Sequence, residues 1–410
     1  MKTIKDSVHD HIDVDGVALA LLDTPPVQRL RHVSQLGTAS LVYPSANHTR
    51  FEHSLGVYHL ADRALEHLGV AGQEAERVRA AAMIHDVGHG PFSHTLEGIV
   101  RRRTGEAHDD IGGLLAGTAI VDVLEDHDLD PSAVVALVAG EGRLGQVIAG
   151  ELDVDRMDYL ARDAHHTGVP YGTVDHGRLV RSLGFFEGDL VLGADSVRTA
   201  ESLLLARALM NPTVYNHHVA RIGTAMLRAG ARRLLETTGR TATDLRRMDD
   251  HDLLVALRDR SATAAIGRRL TERDLYKRAI WAGREAVPAA VIDADRDAID
   301  GFEAAIADRA GVDPAAVLVD VPDRLPMVEG SARILLEDRV ERLAAYSALV
   351  GALEDARDEQ WRLGVYAPSG ATDAVGRAAE AVLDLDLDGA RVSETPHALN
   401  ATIDEFQESG

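Results

Sequence analysis

A histidine followed at once by an aspartate, His85-Asp86, stands at the end of an apolar helical stretch. Burying such a pair is costly unless something neutralises it. Adjacent imidazole and carboxylate groups can both reach one cation if the helix end abuts it. Gly88 and Gly90 then let the backbone leave the helix and approach a ligand, and His89 and His94 fall within reach of the same pocket. Two further segments carry comparable groups: Arg50-Phe51-Glu52-His53-Ser54-Leu55-Gly56-Val57, and the run from Asp153 to Asp163. In that run Asp155, Tyr159 and Asp163 recur at i, i+4 and i+8 and share one helical face. Such a face either meets a functional partner or is a solvated surface with Arg156 and Arg162 as ion-pair partners. The spacing alone leaves both readings open. With 19 His and no Cys in the chain, any metal must be held by imidazoles and carboxylates.

Taken together, the three segments resemble the HD superfamily of metal-dependent phosphohydrolases, through the order His, His-Asp, Asp. The resemblance makes His53, His85, Asp86 and Asp155 the metal-binding set. The flanks are most similar to the branch containing the sterile-alpha-motif/HD dNTP triphosphohydrolases and their microbial relatives, from Lys2 to about Arg232, with no sterile-alpha-motif domain expected ahead of it. That branch converts a deoxynucleoside triphosphate to a deoxynucleoside and inorganic triphosphate. It implies that Arg50 and Arg207 grip phosphates, with Arg156 in a place usually held by Lys. It places His89, His94 and His108 on the reaction side, with His94 protonating the leaving oxygen and Glu97, where the family often has Asp, orienting it. Gln35 and Leu36 fall beside the sugar, Asp163 accepts from the 3′-hydroxyl, and Tyr159 and Tyr215 flank the deoxyribose. Lys2, His11, Asp23, Gln28 and Arg31 match a site for an activating nucleotide between subunits, which implies a homo-oligomer, dimer or tetramer. The local alternative is that Asp23 caps a helix and pairs with Arg31. The cofactor would be a divalent ion (Mn, Fe, Ni, Zn or Mg), a choice that ligand type does not make. Alternative functions are phosphoester hydrolysis of a monophosphate, cyclic nucleotide or alarmone, and non-catalytic nucleotide sensing.

The elements expected to position these groups are mainly α-helical. Residues 1–285 read as an HD phosphohydrolase domain with its catalytic core at about 50–232, and 286–410 as a smaller C-terminal α+β region. An extended stretch precedes Val14, and Thr24-Pro25-Pro26 opens a helix expected to run through Leu36 to Gly37. Ala39–Tyr43 reads as a strand and Gly188–Gly193 as a hairpin strand. Farther on, strands are expected at Val287–Ile292, Val317–Val321, Ile334–Leu336 and Arg362–Tyr366, with helices at Asp295–Ala310 and Asp373–Leu383. His32, His48, His59, His67 and His251 read as surface or structural, and Trp281 and Trp361 as core anchors.

Composition narrows the setting. The net charge is −23, and Lys2, Lys5 and Lys277 are the three lysines. An acidic surface poor in lysine suits a protein kept soluble in concentrated salt, and it disfavours nucleic-acid binding, which needs basic stripes. No apolar run approaches the roughly 18 residues that span a bilayer, so no membrane partner is expected. The charged N-terminus is unlike a signal peptide, and a cytoplasmic location is the expectation.

Overall fold

A computed structural model describes residues 1–322, 328–337, 339–387 and 389–392. Helices dominate, and the described residues group into two units. One comprises Met1–Arg273 with the described part of Pro326–Leu353; the other comprises the described parts of Asp274–Leu325 and Glu354–Gly410. No helix of the described residues is long and apolar enough to cross a membrane.

In the first unit the chain begins as a hairpin, Lys2–Asp6 against Asp10–Val14, whose Ile12 and Val14 enter the core. Arg50–Leu68 is the central helix. Its first turn is closed by the backbone N–H of Thr49 donating to Glu52 Oε2 at 2.7 Å. Gly69 ends it in the left-handed conformation. The apolar faces of Arg50–Leu68, Gly72–Ile84 and Val154–Thr167 share one continuous core with Val197–Met210. A four-stranded sheet lies in the same unit, with Leu183–Phe186, Asp189–Gly193, Arg333–Leu336 and Arg339–Arg342 in that order. The strand expected at Ile334–Leu336 thus pairs in parallel with Asp189–Gly193, Leu192 opposite Ile334.

The second unit has its own core around a three-stranded sheet, in which Arg362–Ala367 lies between Lys277–Gly283 and Leu318–Asp320. Arg296–Ala310 and Thr372–Val382 cover it. Trp361 packs in that core, and Trp281 is buried on the first of those strands.

Four expectations are corrected. Ala39–Tyr43 is not a strand: Ala39–Leu41 is one 3-10 turn, closed by Leu41 N donating to Thr38 O. The Pro25 helix ends at Arg29 and continues as a 3-10 turn only to His32, because Ser34 leaves it to bridge to Thr49. Val287–Ile292 is not a strand but a turn followed by the short helix Ala289–Ile292, which Pro288 opens. The strand instead lies earlier, at Lys277–Gly283, inside the stretch read as helical.

Candidate metal centre and active site

Three elements bring the acidic and imidazole groups together. The Arg50–Leu68 helix supplies His53, the end of Gly72–Ile84 delivers His85 and Asp86, and the first turn of Val154–Thr167, capped by Asp153 on Arg156 N, supplies Asp155. His53 Nε2 lies 2.8 Å from Asp155 Oδ1, 3.4 Å from His85 Nε2 and 3.9 Å from Asp86 Oδ2. His85 Nε2 lies 3.4 Å from Asp86 Oδ1 and 4.0 Å from Asp155 Oδ1. The ligand atoms of His53, His85 and Asp86 all fall within 4.8 Å of one another.

The donor chemistry fits a first-row divalent cation. His85 Nδ1 donates to Ala82 O at 2.8 Å and His53 Nδ1 to Asp158 Oδ2 at 2.8 Å, so in both rings the Nε2 lone pair is the one available to a metal. Burial opposes an imidazolium at His53, yet Asp155, Asp158 and Asp86 raise its pKa to about 10. That surplus of negative charge is what a cation would answer, with His53 then giving up its Nε2 proton. Burial also opposes a charged Asp86, but Arg50, His85 and His89 hold it well below the usual carboxylate range.

Next to this cluster stands a second one. Glu97 accepts from His94 Nδ1 at 2.9 Å and from His108 Nδ1 at 2.7 Å, fixing both rings through one carboxylate. The His89 ring stacks on His108 with centroids 4.3 Å apart and meets His94 edge-on. Burial, with the charges of Arg50 and His108, pushes His89 well below 6.5, so it is neutral. Glu97, despite partial burial, is lowered by its two imidazoles, and His108 is raised by Glu97 against the pull of burial.

Buried guanidinium groups shape the loop between the clusters. Arg29 donates to Val87 O and His89 O, and Arg246 donates to Gly88 O at 2.8 Å and to Ala107 O at 2.7 Å. Burial lowers Arg29 to about 10. A methyl group on Gly88 would sit 1.9 Å from His108 O, so only glycine fits where the two loops meet. Phe92 and Ser93 both adopt positive φ, 55° and 58°, a strained pair for non-glycine residues. Asp250 holds that turn by accepting from Phe92 N at 2.6 Å and from the Ser34 hydroxyl at 2.6 Å. Ser93 Oγ in turn accepts from Arg50 Nε at 2.8 Å, while Arg50 Nη1 reaches both oxygens of Asp86.

On the Val154–Thr167 helix the alternation between a functional and a solvated face resolves by burial: Asp163 is 1% exposed, and Tyr159 is half-buried. Asp163 is clamped between His48 Nε2 and the Tyr215 hydroxyl, each at 2.8 Å. Tyr159 lies edge-on to both His53 and Tyr215. Burial and the neighbouring Asp163 raise Tyr215 well above the usual phenol range, so the hydroxyl keeps its proton and donates. Arg207, half-buried, is close enough that its charge bears on both tyrosines. Arg156 has its Nη1 on Gly150 O, Glu151 O and Asp153 Oδ2, where it braces the turn ahead of Asp155. Arg162 is not a surface ion-pair partner but a fully buried one. Gln35 is buried with no partner for Oε1, and Leu36 packs against the main core.

The five residues of the expected second nucleotide site are spread differently. Lys2 and His11 are exposed on the hairpin, Asp23 ends the Gly16–Leu22 helix, and Gln28 is half-buried. Arg31 does not pair with Asp23; its Nε donates to Gln28 Oε1 at 2.9 Å and its guanidinium lies over the Phe51 ring.

Sequence reasoning missed His9, His48, Asp158, Arg246 and Asp250. Of the two readings open for His48, surface or structural, burial supports the second: it is 1% exposed and bonded to Asp163. The signal at Asp158 was legible: it lies three residues after Asp155 and four before Arg162, the spacing of a helical ion pair. His9, Arg246 and Asp250 reach the site from distant segments, which spacing cannot reveal.

Comparison with known proteins bears on the chain's family and fold. A family model described as HD domain matches residues 50–163, and one described as HD associated region matches 174–394. An uncharacterized protein of Methanocaldococcus jannaschii is 33% identical over 376 residues, covering 90% of this chain and 79% of that protein. A Dictyostelium discoideum protein named deoxynucleoside triphosphate triphosphohydrolase SAMHD1 homolog is 33% identical over 242 residues, covering 54% of this chain. The chain spans about half of that relative's length, 47%. The crystal structure of a phosphohydrolase from Bacteroides thetaiotaomicron superposes with a TM-score of 0.73 at 25% identity, covering 90% of this chain and 100% of that one.

Proposed function

Because the chain belongs to the HD-domain family of phosphohydrolases, we propose that it is a divalent-metal-dependent dNTP triphosphohydrolase, releasing a deoxynucleoside and intact triphosphate. The observation that supports this substrate most is the Tyr215–Asp163 hydrogen bond of 2.8 Å, set beside Tyr159 on the helix that also carries the metal ligand Asp155. A carboxylate flanked by two phenols suits a sugar with one acceptor for its 3′-hydroxyl and no room under C2′. The activity in the Dictyostelium relative's name points the same way.

When bound by His53, His85, Asp86 and Asp155, a divalent cation supplies Lewis-acid polarisation of the α-phosphate and a lowered pKa for the attacking water. The protein's own groups do the rest. Arg50 and Arg207 bring positive charge to the phosphates, and Arg156 holds the turn that carries Asp155. Gln35 and Leu36 lie beside the sugar. Attack at the α-phosphorus breaks its bond to the 5′-oxygen. His94, its Nδ1 held by Glu97, presents Nε2 to protonate that oxygen, while His108 and the neutral His89 line the reaction side. Lys2, His11, Asp23, Gln28 and Arg31 would take an activating nucleotide at a contact between copies. The −23 charge supports working in concentrated salt, in the cytoplasm.

The test is product analysis with each of the four dNTPs and GTP, with Mn or Mg in high salt, each alone and with added dGTP. Deoxynucleoside plus intact triphosphate is the expected result, and a requirement for dGTP would support the second site. If all five stay intact while a monophosphate, cyclic nucleotide or alarmone is cleaved, the substrate assignment falls and the phosphohydrolase assignment stands. Nucleotide binding without turnover of any of these would favour a sensor.

A further inference from the structure

Behind the metal ligand His53 lies a buried carboxylate with no solvent contact. Asp158 is 0% exposed and accepts four hydrogen bonds, the full capacity of a carboxylate. His53 Nδ1 donates to Oδ2 at 2.8 Å and His9 Nε2 to Oδ1 at 2.6 Å. Arg162 donates from Nε to Oδ2 and from Nη2 to Oδ1, both at 3.0 Å. Arg162 is itself 0% exposed and continues to Asp6, with Nη1 2.8 Å from Oδ2. Asp6 also accepts from the backbone N–H groups of Val8 and His9, each at 2.8 Å, and so shapes the turn that presents His9. The opposite wall is Gly56, where a methyl group would fall 1.9 Å from Asp158 Oδ1 and 2.6 Å from Arg162 Nη2.

We infer that the turn of the N-terminal hairpin is part of the metal centre: Asp6 and His9 are positioning residues that set metal affinity by locking Asp158 against His53. A charged carboxylate this deep survives only while its donors are in place. The acceptor behind a metal-bound imidazole fixes its tautomer, its ring plane and its basicity, and losing such a partner typically weakens metal binding about 10- to 100-fold. Here that partner is held by two residues from a segment about 150 positions away in sequence, a separation of 149 between His9 and Asp158. Gly56 is the complementary device, a missing side chain that leaves room for the carboxylate. The inference rests on the assignment of His53 as a metal ligand.

The experiment is titration of the metal-free full-length protein with Mn²⁺, read by electron paramagnetic resonance, and with Co²⁺, read by its d–d absorption. The variants are His9→Ala, His9→Gln, Asp6→Asn, Gly56→Ala and His53→Ala. His9→Ala and Asp6→Asn are expected to weaken Mn²⁺ binding about 10- to 100-fold and to alter the Co²⁺ spectrum. KM for the nucleotide at saturating metal should stay unchanged. His9→Gln, which keeps a donor, should recover most of the affinity. Wild-type affinity in His9→Ala alongside loss in His53→Ala would overturn the relay and leave the metal site standing. Wild-type affinity in both would overturn the metal site itself. If His9→Ala does not fold, Gly56→Ala strikes the same carboxylate from the other helix, and undiminished metal affinity there overturns the inference.

Discussion

The two histidine clusters of the first unit are built to opposite specifications. Around His53 the side chains are sealed: His53, His9, Asp158 and Arg162 show at most 1% exposure, and each ring nitrogen of His53 faces a carboxylate. Around Glu97 the same ingredients stand open, with His94 59% and His108 35% exposed and one carboxylate serving both. On the proposed function the sealed group holds a cation, which needs donors that do not move, so its imidazoles would be anchored from behind. On the same proposal His94 is a proton donor that must meet a changing partner, so its imidazole is steadied at one nitrogen and left accessible at the other. The difference teaches that the role of a histidine here is set less by its neighbours in sequence than by how many of its nitrogens the fold has already spent.

The largest expected effect breaks the sealed side. His85→Ala or Asp155→Ala should lower turnover by at least about 10⁴-fold, with circular dichroism unchanged from the parent. Substantial activity in a metal-stripped His85→Ala sample would remove the assigned centre. The open side should yield less: His94→Ala is expected to cost about 10²- to 10⁴-fold in kcat with metal affinity retained, as read by parallel kinetics and Mn²⁺ titration. A metal affinity that falls together with kcat would show that the two clusters are not separable. Smaller again, Tyr215→Ala should narrow the preference for deoxy- over ribonucleotides by about 10- to 100-fold, measured as the ratio of kcat/KM values. An unchanged ratio would end that role for the phenol.

The smallest effect sharpens the comparison by pH. Glu97 raises the pKa of His108, and Glu97→Gln should bring it down, a move of the titration midpoint to lower pH followed by the imidazole C2-proton resonance. Because the folded His108 value lies above 6.5 and that of Glu97 below 4.5, the stability that this pair contributes is fully present between about pH 4.5 and 6.5 and is lost as pH rises through the raised His108 value. The gap in melting temperature between parent and variant should therefore narrow as pH rises from 6.5 through that raised value. A gap independent of pH would mean that the pair is held by packing alone.

How much of this could be read in the sequence depended on distance along the chain. The three segments that the fold brings together were legible because each is local: the Arg50–Val57 run, a His-Asp dipeptide at a helix end, and acidic groups at helical spacing after Asp153. The burial of Arg162 and His48 was not legible, because a charged or polar residue reads as exposed until a partner is known, and Asp6 and Asp163 lie 156 and 115 positions away. The strand misreadings have a different cause. Ala39–Tyr43 and Val287–Ile292 are short β-branched or apolar runs, for which periodicity does not separate strand from turn, and Thr38 and Pro288 decided each case through a local hydrogen bond or a fixed φ.

The strand Arg333–Leu336 has a consequence for how the molecule comes into being. Until that strand is synthesised and docks, the side of Asp189–Gly193 that it covers is an open edge, with unpaired backbone N–H and C=O groups offered to any extended chain nearby. The first unit therefore cannot finish folding as its own residues leave the ribosome in order. It must wait while the intervening stretch from Asp274 is made, so the two units mature interleaved, not one after the other.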